Sequence, residues 1–278
     1  MFPQNQESIR QIITRYNLLK DRRRSKHFGQ HFLCDQSLLE KIVKCSLPFG
    51  DADILEIGPG PCGLTRAIIK FCDSNRLHCI EKDTMLEPLH RDVLNGVENC
   101  RVIYEDALKI RPQSLTPRKI IIVSNLPYNV GTQLLINWLL DLKDIEKMVL
   151  MFQKEVADRI CSVPGMKEYG RLSVITQLLC NVEKLVPVSR LAFYPPPKVD
   201  STVIRLIPKA VKVGNIDHLQ RLTQYCFQHR RKMIYSILKK YYDEPKVAMS
   251  LRECCIEKTA RPETIAPQKF LALSEHLI

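Results

Sequence analysis

Ile120-Ile121-Ile122-Val123-Ser124-Asn125-Leu126-Pro127-Tyr128 is the stretch that decides the fold. Four apolar β-branched residues in a row read as a strand buried on both faces, the pattern of a parallel sheet. A polar amide, a proline and an aromatic stand where that strand ends. In open α/β sheets, ligands bind beyond the carboxyl ends of the strands. The side-chain oxygen of Asn125 and a neighbouring backbone carbonyl are able to accept the two hydrogens of an NH2 group. Pro127 stiffens the turn and adds no competing donor, and Tyr128 offers a flat face on which a base can stack. An ordinary strand-to-helix turn with an asparagine cap has the same composition, and the two readings stay open on this stretch alone.

Outward from it, strand and helix alternate from Ala52 onward. Predicted strands are 52–57, 77–80, 101–104, the 120–125 strand, 147–152 and 202–207. Leu64, Ala67, Ile68 and Phe71 share one face of a helix after the first strand, and Leu38, Leu39, Ile42 and Val43 mark an earlier helix capped by Asp35. Such alternation predicts an α/β fold with a mostly parallel sheet covered by helices. After Pro208 the pattern turns helical, over 216–227, 229–242 and near 267–277. Three parts are therefore expected: a basic arm over 1–27, an α/β domain over 28–207 and a small helical domain over 208–278.

The ends of the strands carry the chemistry. Gly58-Pro59-Gly60-Pro61-Cys62-Gly63 matches a dinucleotide fingerprint, with an acid about 20 positions later. A nicotinamide-dependent oxidoreductase is one reading. Binding a pyrophosphate needs backbone N–H donors around the turn, and Pro59 and Pro61 remove two of them. A close-approaching ligand without pyrophosphate fits better, and S-adenosylmethionine is such a ligand. Glu81 at the next strand end is then suited to a ribose diol and Asp106 to an adenine amine. Each acid alone is commonly a surface or capping carboxylate. The succession of glycine turn, Glu81, Asp106 and Asn125 favours a methyltransferase.

The net charge is +12, from 42 Lys and Arg against 30 Asp and Glu, which points to a polyanionic partner such as nucleic acid. Residues 1–30 contribute Arg10, Arg15, Lys20, Arg22, Arg23, Arg24 and Lys26, a candidate phosphate-contacting arm. A solvated tail or a targeting presequence has a similar composition, the latter weakened by Glu7 and Asp21. His229-Arg230-Arg231-Lys232 is expected to begin a helix that grips phosphates, against the plainer reading of a solvated charged face. Phe193 to Ser201, with Pro195-Pro196-Pro197, reads as a rigid extended loop. Its Phe193 is either a second aromatic wall opposite Tyr128 or a core residue of a polyproline connector. The eleven cysteines form no C-x2-C pair, so reduced thiols and no metal are expected. No run of about 18 apolar residues exists; neither a membrane span nor a secretory signal is expected.

Taken together, these motifs resemble the rRNA adenine N6,N6-dimethyltransferase family. The matching stretches are Phe28–Leu33, Glu56–Gly60 with Gly63-Leu64-Thr65, Ile80–Asp83, Asn125–Asn129, Gln153–Val156, Tyr169–Val174 and Phe193–Ser201, with His229–Lys232 echoing a basic stretch. Asn-Leu-Pro-Tyr together with Phe-x-Pro-Pro-Pro-Lys-Val-Asp-Ser is a specific combination. The chain is most similar to the bacterial small-subunit branch, which dimethylates two adjacent adenosines near the 3′ end of 16S rRNA. The resemblance implies a Rossmann-like class I methyltransferase domain with S-adenosyl-L-methionine held by His31, Leu33, Gly58, Glu81, Asp106 and Asn125. It implies Asn125, Leu126, Tyr128 and Phe193 at the adenine. His31 stands where the family usually has Asn, Cys62 where Gly or Ala is common, and Ser124 where Gly precedes the Asn.

The implied partner is 16S rRNA in the 30S subunit or its precursor, contacted by Arg22, Arg23, Arg24, Arg230, Arg231 and Lys232. A cytoplasmic monomer with a part in subunit biogenesis is expected. Rival readings are a 23S rRNA adenine N6-methyltransferase, which Tyr169–Val174 and the longer tail disfavour, and a non-catalytic nucleic-acid-binding relative of the mitochondrial transcription factor type. Intact Glu81, Asp106 and Asn125–Tyr128 disfavour the latter.

Overall fold

The computed structural model describes residues 7–20, 31–72 and 76–278. Arg22, Arg23 and Arg24 lie outside the described residues. Seven strands form the main sheet: β2 (Asp53–Ile57), β3 (Leu77–Glu81), β4 (Cys100–Tyr104), β5 (Ile120–Asn125), β6 (Ile145–Gln153), β7 (Cys180–Val188) and β9 (Ser201–Pro208). Their order is β4-β3-β2-β5-β6-β9-β7. Pairs β2–β3, β3–β4, β2–β5 and β5–β6 are parallel, and β6–β9 is antiparallel. This is the mostly parallel sheet expected from the alternation of strand and helix, in the Rossmann-like arrangement that the resemblance implies.

The chain runs outward from β2 through β3 to β4, then returns to β5 on the other side of β2. The strand order therefore reverses between β2 and β5, and a crevice opens at such a switch point. Ile120 to Ser124 are buried throughout, so β5 is the apolar spine of the sheet. Its register on β2 pairs Asp53 with Ile120 and Leu55 with Ile122. Helix α2 (Gln36–Ser46) starts at Asp35, whose carboxylate accepts the Leu38 N–H at 3.1 Å, and buries Leu39, Ile42 and Val43.

Several expectations need correction. The basic arm is in part a folded element. Helix α1 (Ile9–Arg15) opens with a Ser8–Gln11 capping box and buries Ile9, Ile12 and Ile13. These pack with Phe32, Cys62, Leu86 and Leu89. Arg15 is already committed to Glu7 at 2.6 Å and Asp92 at 2.7 Å. The extended loop read from Phe193 begins as a strand that pairs with part of the Phe28–Leu33 stretch: β1 (Phe32–Leu33) and β8 (Phe193–Tyr194) run antiparallel, Leu33 opposite Phe193. Strand β7 was not among the predicted elements.

The chain divides into two compact units. One holds the residues as far as Ala157 together with Glu183–Ile207; the other holds Asp158–Val182 and Pro208–Ile278. The 208 boundary has a counterpart here, but residues 158–182 group with the C-terminal helices instead of the α/β domain. Within the second unit, the Tyr169 hydroxyl donates to the Ile265 carbonyl at 2.8 Å, and the Gly165 N–H to the Glu263 carbonyl at 2.7 Å. The predicted helix over 229–242 is absent. A helix over Ile216–Gln228 ends at His229, a turn follows, and only Ile234–Leu238 is helical. His229–Lys232 is thus the turn after a helix, not the start of one. Further helices cover Glu244–Glu253 and Pro267–His276.

Candidate active site

A cavity of about 250 Å³ lies over the carboxyl ends of β2, β3, β4 and β5, within the first unit. It is lined by His31, Leu33, Gly58, Glu81, Asp106 and Asn125, all six residues expected at the cofactor, and by Leu126 and Tyr128. The structure brings these together from five separate stretches of sequence.

The floor is the turn after β2. Gly58 and Gly60 have φ of +69° and +50°, backbone that an L side chain rarely adopts. A Cβ on Gly60 would lie 3.2 Å from the Phe32 ring. The turn is therefore shaped by glycine for close approach. Ser124 secures it from β5, its hydroxyl donating to the Ile57 carbonyl at 2.9 Å. The departure from the usual glycine at this position thus ties β5 to β2 just before the turn.

Two acids face this turn from buried positions. Glu81 is 8% exposed and accepts from the Gly60 N–H at 3.3 Å and the Asp83 N–H at 2.9 Å. Burial raises its pKa; the two backbone N–H groups act the other way. Glu56, also on the cavity wall, is 2% exposed. Burial pushes its carboxyl up to about 8, against the opposing effect of the Thr65 hydroxyl and of the Cys79 thiol, which donates to it at 3.6 Å. Among the described residues, neither acid has a lysine or arginine partner. Asp106 differs: it is ion-paired with Lys82 at 2.7 Å, caps a short 3-10 turn through Leu108, and is held below the usual carboxylate range by the Lys82 contact.

At the end of β5, the Pro127 carbonyl accepts the N–H groups of Val130 and Gly131 at 3.2 and 2.9 Å. Among the described residues nothing donates to Asn125 Oδ1 or to the Leu126 carbonyl. Both residues line the cavity, each with an acceptor to spare. Tyr128 is anchored through its hydroxyl, 2.8 Å from Ser201 Oγ, which fixes the ring. His31 lies beside it, ring centroids 5.9 Å apart and planes inclined by 30°. The Nδ1 of His31 is 2.9 Å from the Pro195 carbonyl, so Nδ1 carries the hydrogen.

Phe193 is not part of the cavity wall. It is 2% exposed and packs in the sheet core with Leu33, Val149, Met151 and Val203. Pairing of β8 with β1 turns alternate side chains to opposite faces, which buries Phe193 and leaves Tyr194 40% exposed. This placement matches the core-residue reading, and the ring does not line the cavity. On the second unit Arg230 donates to the Lys167 carbonyl at 3.0 Å, while Arg231 and Lys232 are exposed.

One contributor was missed from the sequence. His90, on the helix Glu87–Val93, reaches the Gly60 carbonyl at 2.8 Å. A lone histidine in a helix of mixed pattern gives no sequence signal for that contact. All eleven cysteines are free. Among the described residues no group of three or more His, Cys, Asp or Glu is placed to hold a metal ion. No helix among them is long and apolar enough to cross a membrane.

The family model for "Ribosomal RNA adenine dimethylase" matches residues 4–278. The chain belongs to this family. A relative from Caulobacter vibrioides named ribosomal RNA small subunit methyltransferase A is 46% identical over 257 residues, spanning 90% of this chain and 95% of its own length. Among solved structures, a dimethyladenosine transferase from Plasmodium falciparum superposes with a TM-score of 0.76 at 27% identity, covering 87% of this chain and 96% of that one. The 23S rRNA methyltransferase ErmE superposes with a TM-score of 0.68, also at 27% identity, covering 88% and 99%. Both share the α/β architecture described above.

Proposed function

We propose that this rRNA adenine dimethyltransferase transfers methyl groups from S-adenosyl-L-methionine to N6 of two adjacent adenosines near the 3′ end of 16S rRNA. The product is N6,N6-dimethyladenosine, made during 30S subunit biogenesis by a cytoplasmic monomer. The observation that carries the reading is the pair of spare acceptors, Asn125 Oδ1 and the Leu126 carbonyl, beside the anchored ring of Tyr128. The relatives named for the small-subunit rRNA support the choice of substrate.

The residues fit such a cofactor. A glycine turn with positive φ admits close approach, Glu81 offers two acceptor oxygens to a ribose diol, and Asp106 offers an acceptor to an adenine amine. When bound, S-adenosylmethionine supplies an electrophilic methyl group on a sulfonium.

An adenine N6 is a poor nucleophile because its lone pair is delocalised into the ring. Asn125 Oδ1 and the Leu126 carbonyl each accept one N–H and hold the nitrogen pyramidal, with its lone pair turned away from both. Tyr128 stacks on the base, a contact worth on the order of 1–3 kcal/mol, and holds it out of its helix. Orientation of this kind can lower a barrier by roughly 7–11 kcal/mol. No strong base is required: the methylated nitrogen is acidic and gives its hydrogen to water. After the first transfer one N–H remains, so a single acceptor with the Tyr128 ring orients the second. Arg231 and Lys232, exposed on the second unit, are assigned to phosphates.

Replacing Asn125 by Ala is expected to abolish methyl transfer to undermethylated 30S subunits while RNA binding stays within about twofold, since one neutral contact is lost. Turnover at the wild-type rate in that variant would sink the assignment.

A further inference from the structure

The turn that forms the cavity floor is short of hydrogen-bond donors. Pro59 and Pro61 have none, so Gly60 supplies the N–H between them. That N–H meets Glu81 at 3.3 Å. The other side of the same residue is equally committed, because the Gly60 carbonyl accepts from His90 Nε2 at 2.8 Å. Gly60 has φ of +50°, and with no side chain to wedge it, these two contacts set the direction of its peptide groups.

His90 is 2% exposed. Its Nδ1 lies 2.8 Å from the Tyr104 hydroxyl, and the two rings stack at 5.8 Å with planes 22° apart. The hydrogens along this chain can be assigned. A carbonyl only accepts, so Nε2 carries a hydrogen. Burial holds His90 below the ordinary histidine range, leaving Nδ1 as a lone pair at neutral pH. Burial also raises Tyr104 to about 12, so its hydroxyl keeps its hydrogen and donates it to Nδ1. Tyr104 thereby selects the tautomer that places the donor on Gly60. The order is Tyr104 to His90 to Gly60 to Glu81, running from the edge strand β4, through the helix Glu87–Val93, to the cavity.

We propose that His90 and Tyr104 are positioning residues for methyl-donor binding: through the Gly60 peptide they hold the glycine turn and the Glu81 carboxylate in the geometry that receives the nucleoside half of the cofactor. This rests on the methyltransferase reading above. Neither residue touches the reacting atoms, so the effect falls on cofactor affinity and leaves the chemical step alone. Loss of the donor leaves a buried carbonyl without a partner, and the turn relaxes to satisfy it.

The test is calorimetric binding of S-adenosylhomocysteine to the full-length chain, together with steady-state methylation of undermethylated 30S subunits. His90→Leu keeps the bulk and removes the donor. It is expected to weaken S-adenosylhomocysteine binding roughly tenfold and to raise KM for S-adenosylmethionine in step, with kcat and KM for the 30S subunit unchanged. His90→Gln restores an amide N–H and recovers most of the affinity. Tyr104→Phe leaves His90 in place but frees its tautomer, and gives a smaller loss, about threefold. Tyr104 is only partly buried on an edge strand, so this variant tests the relay even if His90→Leu fails to fold. Wild-type affinity in Tyr104→Phe, or equal losses in His90→Leu and His90→Gln, overturns the relay. Failure of the unaltered protein to bind S-adenosylhomocysteine overturns the methyl-donor reading itself, a separate result.

Discussion

The two ends of the parallel sheet bury carboxylates in opposite ways. Asp53 opens β2 at the amino end and is 1% exposed. It accepts from the Arg76 N–H at 3.1 Å and the Thr116 hydroxyl at 2.7 Å, with Arg118 at 3.6 Å and His78 at 3.7 Å. Three residues along the same strand, Glu56 has a thiol for a partner, and Glu81 on β3 has two backbone N–H groups. Burying an acid is costly without compensating donors or charge. The amino end is closed on itself with hydroxyl, amide and cation. The carboxyl end keeps acceptor capacity beside a cavity, and its cation, Lys82, is paired with Asp106 and not with Glu56 or Glu81. A ligand that brings hydroxyl donors and positive charge completes it, which is what a sulfonium nucleoside offers.

The contrast breaks most sharply by exchange of effects. Removing Glu81 as Glu81→Ala is expected to weaken S-adenosylmethionine binding by roughly 100-fold, the loss of two hydrogen bonds to a charged group, with little change in melting temperature. Asp53→Ala should do the reverse, costing roughly 1–3 kcal/mol in denaturant unfolding with cofactor affinity of the folded protein unchanged. If both variants lose affinity alike, the two ends are not functionally distinct.

The aromatic residues sharpen the same division between wall and core. Tyr128→Ala is predicted to cut kcat/KM for the 30S subunit by about tenfold or more, the value of one stacking contact. Phe193→Leu should instead lower stability by about 1–2 kcal/mol and leave turnover per folded molecule near wild type. A loss of turnover at full stability in Phe193→Leu would return that ring to the site.

The buried acid at the carboxyl end also predicts a pH dependence. The Glu56 carboxyl is raised from 4.5 to about 8 in the folded protein. Between those values the native state binds more protons than the unfolded chain, so stability falls as pH rises through this window. Unfolding free energies from pH 5 to 8 should show that fall, and Glu56→Gln should flatten it.

What could be read in the sequence follows the same line. Glu81, Asp106 and Asn125 each end a strand of clear pattern, and a strand end in such a sheet faces the ligand wherever the sheet is built. The grouping around Asp53 and the contact from His90 to Gly60 join residues 23 to 63 and 30 positions apart, and local patterning carries no sign of them. Phe193 was ambiguous because a two-residue strand before three prolines shows no period, and its partner β1 decides which face is buried. The isoleucines at 9, 12 and 13 and the Ser8–Gln11 box were visible signals of α1, masked by the basic residues around them. Residues 158–182 join the helical unit through contacts such as Tyr169 with Ile265, about 100 positions away. His229–Lys232 continues a polar helical pattern, so the end of the helix at His229 had no breaker to announce it.

The most direct test is incorporation of tritiated methyl from S-adenosylmethionine into undermethylated 30S subunits, followed by nucleoside analysis of the RNA. The account predicts N6,N6-dimethyladenosine at two adjacent positions of 16S rRNA. Absence of label, with S-adenosylmethionine bound at the cavity, would contradict it and leave a protein that holds the donor but acts on another substrate or none.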